Sequence, residues 1–190
     1  PPPPPTPPPP PPPHPPRLDS SAASDVYKRQ LDIYYYSLRQ LPRDLEEAGR
    51  RVLKAFGVRE RFFHFEFFRT PEGRLVALEV NMRPPGGLTM DMFNYANDID
   101  LYREWANVVV FDRFTADYSR PYHCSFVGRR FHHSYAHSHD ELLEMLGSLV
   151  VHHEPINSAF GVALGDYGYL VRSPDVEEIH AAARVIHEPA

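Results

Sequence analysis

The sequence predicts an α+β chain: an antiparallel sheet with packed helices over residues 31–115, then a small α/β domain over residues 116–190. Three patterns predict it. Two strand-like stretches, Phe62 to Phe68 and Arg74 to Asn81, flank the turn residues Thr70-Pro71-Glu72-Gly73 and read as an antiparallel hairpin. Apolar residues recur at three- and four-residue spacing from Leu45 to Phe56 and from Met90 to Val108, the period of amphipathic helices. Beyond Tyr122, strand-like and helical stretches alternate to the end of the chain.

Composition bounds the function classes. A chain of 190 residues with 42% hydrophobic residues has the content of an ordinary mixed domain. Its formal charge of -5 is too small to imply a polycationic partner, and nothing in it suggests a nucleic-acid surface. The apolar runs fall far short of the roughly 20 residues that cross a bilayer, so no membrane partner is expected. Cys124 is the single cysteine, which excludes an internal disulfide and fits a reducing compartment. No secretory signal is evident, so the default localisation is cytoplasmic.

Residues 1–30 stand apart. Pro1 to Pro16 is interrupted only by Thr6 and His14, a composition that favours polyproline II without a core. It reads either as a ligand or stiff spacer for proline-recognition domains, or as a segment unrelated to the folded part. Ser20 to Gln30 (SSAASDVYKRQ) resembles translated adapter read-through, in which case the native protein begins near Leu31, inside a domain.

In order from Leu31, LDIYYYSL (Leu31 to Leu38) reads as a short strand. Pro42 then suits a first helical turn, where its missing N–H has no partner. The stripe Leu45, Ala48, Val52 and Phe56 predicts a helix of about four turns, with Gly57 as its stop. Its Glu, Arg and Lys residues read as a solvated face. After the hairpin, residues 88–110 read as two helices broken at Asn97-Asp98, the second capped by Asp98 or Asp100. Tyr122 to Phe131 and Gly161 to Val171 read as strands, Asp140 to Leu149 and Val176 to His187 as helices.

The chemistry concentrates in the hairpin. Side chains alternate faces along a strand, so His64, Glu66 and Phe68 share one face of the first strand. Leu75, Ala77, Glu79 and Asn81 share one face of the second. A turn at residues 71–74 pairs Thr70 with Leu75 and brings Glu66 opposite Glu79, where like charges about 5 Å apart repel. If buried, the pair needs either a shared proton or a cation. Asn81 adds a neutral oxygen on the same face and Arg83 a positive charge just beyond. Two carboxylates and an amide suit Mg²⁺, which completes its shell with water and phosphate oxygens. Arg83 would meet those phosphates with its planar fork. The alternative is that both acids face solvent and Arg83 is an ordinary ion-pair partner. Gly86 and Gly87 let the chain pass close to a ligand before the next helix, whose N–H groups could orient an anion; a tight strand-to-helix turn explains them equally.

HFEFF, a turn, then LEVNMRPPGG resembles the C-terminal half of an ATP-grasp domain, over about Leu31 to Val110. The resemblance implies that Glu66 and Glu79 ligate Mg²⁺ (or Mn²⁺) with Asn81 as the third protein ligand. It also implies that Arg83 contacts the transferred phosphate of ATP, and so acts in catalysis. The Arg-Pro-Pro-Gly-Gly continuation looks most like the carboxylase, carbamoyl-phosphate-synthase and carboxylate–amine ligase branch. The implied activity is a ligase that makes an acyl-phosphate from a small carboxylate and passes it to an amine or similar nucleophile. The resemblance further implies a nucleotide-covering lysine and glycine-rich flap. Lys28 and Lys54 are the only lysines, and neither sits on such a flap, so the chain is expected to be a catalytic half without turnover of its own. A non-catalytic cation-binding or interaction module on the same fold is the competing reading. The tail looks like the small domain that follows the ATP-grasp core in this branch.

Histidines gather between His123 and His153. Their spacing matches no common zinc pattern, and they read as strand and loop residues.

Overall fold

The computed structural model describes residues 32–190, so the polyproline and adapter-like readings lie outside the described residues. Its centre is a four-stranded antiparallel sheet in the order β1-β4-β6-β5, from β1 (Ile33–Ser37), β4 (His123–Arg129), β5 (Val150–Pro155) and β6 (Tyr167–Ser173). β1 pairs with β4 from Ile33 opposite Gly128 to Ser37 opposite Cys124. The sheet therefore takes a strand from before residue 115 and three from after it.

Both faces of the sheet are covered. One packs Tyr34, Val127, Tyr169 and Val171 against α4 (His139–Leu146) and α6 (Val176–Ile186), whose Leu142, Ile179, Ala182 and Ile186 are buried. The other packs Cys124, Phe126 and Leu170 against Leu88 and α2 (Thr89–Asn97), through Met92 and Ala96. That double coverage explains the uninterrupted burial of Cys124 to Arg129, which alternation alone would not give. Burial also pushes the Cys124 thiol up to about 12, leaving it inert. The buried Arg129 side chain ties β4 to α6, its Nε donating to the Ile186 carbonyl at 2.7 Å and its Nη1 to the His137 carbonyl at 2.8 Å.

The predicted cap of the second helix is present. α3 (Leu101–Phe111) starts after Asp100, whose carboxylate accepts the Arg103 N–H at 2.9 Å. α1 (Arg43–Ala55) follows Pro42 and ends at Gly57 with φ +59°. Of its apolar stripe only Ala48 is buried, and Phe56 is exposed. α4 begins with a reciprocal capping pair between Ser138 and Glu141.

Two expectations for the tail are corrected. β5 (VVHHEP) was not foreseen, because His152 and His153 break its apolar pattern. Residues 161–164, expected as strand, belong to α5 (Ser158–Leu164), which Asn157 caps by accepting the Ala159 N–H. β6 starts only at Tyr167.

The hairpin of β2 (His64–Arg69) and β3 (Leu75–Asn81) forms a separate two-stranded sheet. One ion pair joins it to α1, with Arg69 Nη1 2.6 Å from Asp44 Oδ2.

Candidate functional site

The hairpin's register is built from a slip and a bulge. Leu75 pairs with Arg69 rather than with Thr70, because the turn closes through Thr70 N–H on the Arg74 carbonyl and Gly73 N–H on the Thr70 carbonyl. The register then shifts between Glu66 and Phe67, leaving Leu78 without a partner. The two displacements cancel, and Glu66 lies directly opposite Glu79, with His64 opposite Asn81. One predicted detail is overturned. Ala77 pairs with Phe67, so it takes the face opposite Glu66 and Glu79, and the expected common face of Leu75, Ala77, Glu79 and Asn81 is split at the bulge.

Of the two alternatives for the acids, the solvent-facing one holds: Glu66 and Glu79 are both exposed. Val76 and Leu78 of the same hairpin are exposed as well. The opposed charges are therefore water-screened, and their repulsion is modest.

Glu66, Glu79, Arg83 and Gly86 all line one open cleft of about 1260 Å³ between the hairpin and the body of the fold. His64 lines it too. Ile33 and Tyr35 of β1, Thr89 and Phe93 of α2, and Phe160 and Leu164 of α5 contribute to the other side. The walls are mainly apolar and aromatic; the charged lining groups are Glu66 and Glu79 on the hairpin, Arg83 just beyond it, and Arg120. Tyr35 donates or accepts a hydrogen bond with Thr89 Oγ1 at 3.0 Å, and burial pushes its hydroxyl up to about 12.

Asn81 reaches the cleft through a neighbour: its Nδ2 lies 2.9 Å from His64 Nε2. Arg83 Nη1 donates to the Pro84 carbonyl at 3.0 Å, folding the exposed arginine back along its own loop. Gly86 and Gly87 differ in role. Gly86 lines the cleft, whereas Gly87 has φ +61° and a Cβ there would meet Leu164 Cδ1 at 2.4 Å. Gly87 is required by the turn into α2. The N-terminus of α2 has no side-chain cap.

Two carboxylates and an amide oxygen are the kind of donors a hard divalent cation takes, so Glu66, Glu79 and Asn81 could serve one by their chemistry. Among the described residues no group of three or more His, Cys, Asp or Glu side chains could hold a metal. The tail histidines instead take tyrosine and carboxylate partners: His139 with Tyr169, His153 with Tyr167, and His137 with Glu188. The site residue that sequence reasoning missed is His64. Alternation placed it on the face of Glu66, but nothing in the spacing showed that it would grip Asn81.

No protein-family model and no curated protein sequence matches the chain. Solved structures do. The ATPase subunit of phosphoribosylaminoimidazole carboxylase from Aquifex aeolicus superposes with a TM-score of 0.54 at 14% identity, over 85% of this chain and 48% of that one. Phosphoribosylglycinamide synthetase from Anaerococcus prevotii gives a TM-score of 0.56 at 10% identity, over 80% of this chain and 43% of that one. The likeness is one of fold, and the fold of this chain is ATP-grasp-like. The chain spans about half the length of these structures. No helix among the described residues is long and apolar enough to cross a membrane.

Proposed function

We propose that this chain carries the ion-holding and phosphate-facing part of an ATP-dependent ligase. The observation that carries the reading is the convergence of Glu66, Glu79, Arg83 and Gly86 on one cleft of an ATP-grasp-like fold. Glu66, Glu79 and Asn81 would hold Mg²⁺. When bound, the ion neutralises charge on the transferring phosphoryl group. Arg83 would turn its guanidinium from the Pro84 carbonyl to the phosphate, its planar fork donating to two of the oxygens. Gly86 leaves the loop without a side chain beside the cleft, so a small carboxylate can lie against the backbone. The reaction would join that carboxylate to the γ-phosphate of ATP, releasing ADP. An amine or similar nucleophile would then displace phosphate from the acyl-phosphate. A nucleotide-covering partner region is part of this proposal, as is action in the cytoplasm.

The second reading is a non-catalytic cation-binding or interaction module; the exposure of both acids favours its interaction form, since screened carboxylates need no ion to coexist. ADP release from Mg-ATP with a panel of small carboxylates, by full-length protein that includes the nucleotide-covering region, separates the two. Glu79→Gln is expected to lower it roughly 100-fold or more. Equal release by the variant contradicts the ligase reading and leaves the module.

A further inference from the structure

Asn81 can serve a cation only through its oxygen, and an unrestrained amide presents its nitrogen just as readily. His64 decides between them. Its Nδ1 lies 3.2 Å from the carbonyl oxygen of Arg83, and its Nε2 lies 2.9 Å from Asn81 Nδ2. A backbone carbonyl only accepts, so Nδ1 carries the hydrogen and donates it. The Asn81 Nδ2 that faces Nε2 can only donate, so Nε2 accepts. The group of Asn81 that faces it is then the amide NH₂, and Oδ1 lies on the other side of the planar amide. No hydrogen bond among the described residues engages Oδ1.

We propose that His64 is a positioning residue, which locks the Asn81 amide so that its oxygen is offered to the cation held by Glu66 and Glu79. The proposal rests on the reading that those three residues hold a divalent cation. The same ring anchors the backbone at Arg83 and so fixes where the arginine leaves the strand. His64 pairs with Asn81 across the ladder and Glu66 with Glu79 one step along on the same face, so positioning residue and ligands form one block of the hairpin. Partners that orient a ligand in this way are typically worth about 10- to 100-fold in metal affinity.

The test uses the full chain and Mn²⁺, with free ion followed by electron paramagnetic resonance. Wild type is expected to take up Mn²⁺ and Glu79→Gln to lose it. His64→Phe, which keeps the ring and removes both hydrogen bonds, is expected to weaken binding roughly tenfold or more. His64→Gln, whose amide offers an acceptor and a donor, should recover most of the loss. Asn81→Ala should weaken binding like His64→Phe, and the double variant should be no weaker than Asn81→Ala. Wild-type affinity in His64→Phe, with binding lost in Glu79→Gln, overturns the positioning role and leaves the cation reading intact. No Mn²⁺ uptake by wild type overturns both. A second measurement needs no variant. Long-range ¹⁵N–¹H spectra at about pH 8, where an ordinary imidazole is neutral, should show His64 protonated on Nδ1. Protonation on Nε2 would turn the Asn81 oxygen toward the ring and overturn the proposal.

Discussion

The two β structures of this chain differ in almost every physical respect. In the four-stranded sheet, Cys124, Phe126, Val127, Leu170 and Val171 are fully buried under helices on both faces. In the hairpin, Leu78 is 54% exposed and Val76 40%, and the Arg69–Asp44 ion pair joins it to α1. A two-stranded ribbon without a covered face is marginal in water. Yet every proposed ion-binding side chain lies on the hairpin. The sheet supplies one wall of the cleft, and the proposed chemistry falls on the hairpin, the more exposed element, as is common for binding segments.

The contrast can be broken by truncation. Phe126→Ala is expected to cost about 3–5 kcal/mol, as a large aromatic deleted from a packed core. Leu78→Ala, at the bulge, should stay within about 0.5 kcal/mol. Denaturant unfolding of both variants checks this, and similar losses would erase the distinction between the two regions.

Acid should act on the sheet side more than on the hairpin. Burial holds the His187 imidazole below its ordinary range, against the opposing hydrogen bond of its Nε2 to the Gly128 carbonyl at 2.8 Å. Burial likewise lowers His123. With a depressed pKa in the fold, the unfolded chain binds the proton first, so stability falls as pH drops through about 6.5 and recovers above it. His187→Gln should flatten that slope, which thermal unfolding between about pH 5 and 8 would read. An unchanged slope would assign the pH dependence to other groups.

The smallest effect is expected at the joint between the regions. Asp44 is held below the usual carboxylate range by its hydrogen bond to Arg69, but the pair is exposed on the Asp44 side. Arg69→Ala should leave the global unfolding midpoint essentially unchanged, while amide exchange speeds up in residues 64–81 alone. A large midpoint shift would mean that the hairpin is part of the cooperative core.

Much of this was legible in the sequence, for reasons particular to each element. The hairpin announced itself through Thr70 to Gly73, and α3 through the Asp100 cap. The pairing of Glu66 with Glu79 was reached by a register wrong at the turn and restored by an unforeseen bulge at Leu78. Alternation counts residues, and it cannot see the extra one. β5 was hidden because His152 and His153 carry no apolar signal, and α5 because Phe160 and Val162 favour strands when read locally. The exposure of the acids was left open by the sequence, because alternation assigns side chains to a face but does not say what covers that face. His64 needed coordinates, since a ring gripping an amide is a matter of distance.

The central claim is that Glu66, Glu79 and Asn81 hold a divalent cation in the cleft. Titrating Mn²⁺ into ¹⁵N-labelled chain tests it most directly. The account predicts that paramagnetic broadening appears first at the amides of Glu66, Glu79 and Asn81, spares the β6 amides, and is lost in Glu79→Gln. Broadening that starts instead at Glu177 and Glu178 of α6, or that survives Glu79→Gln, would contradict it.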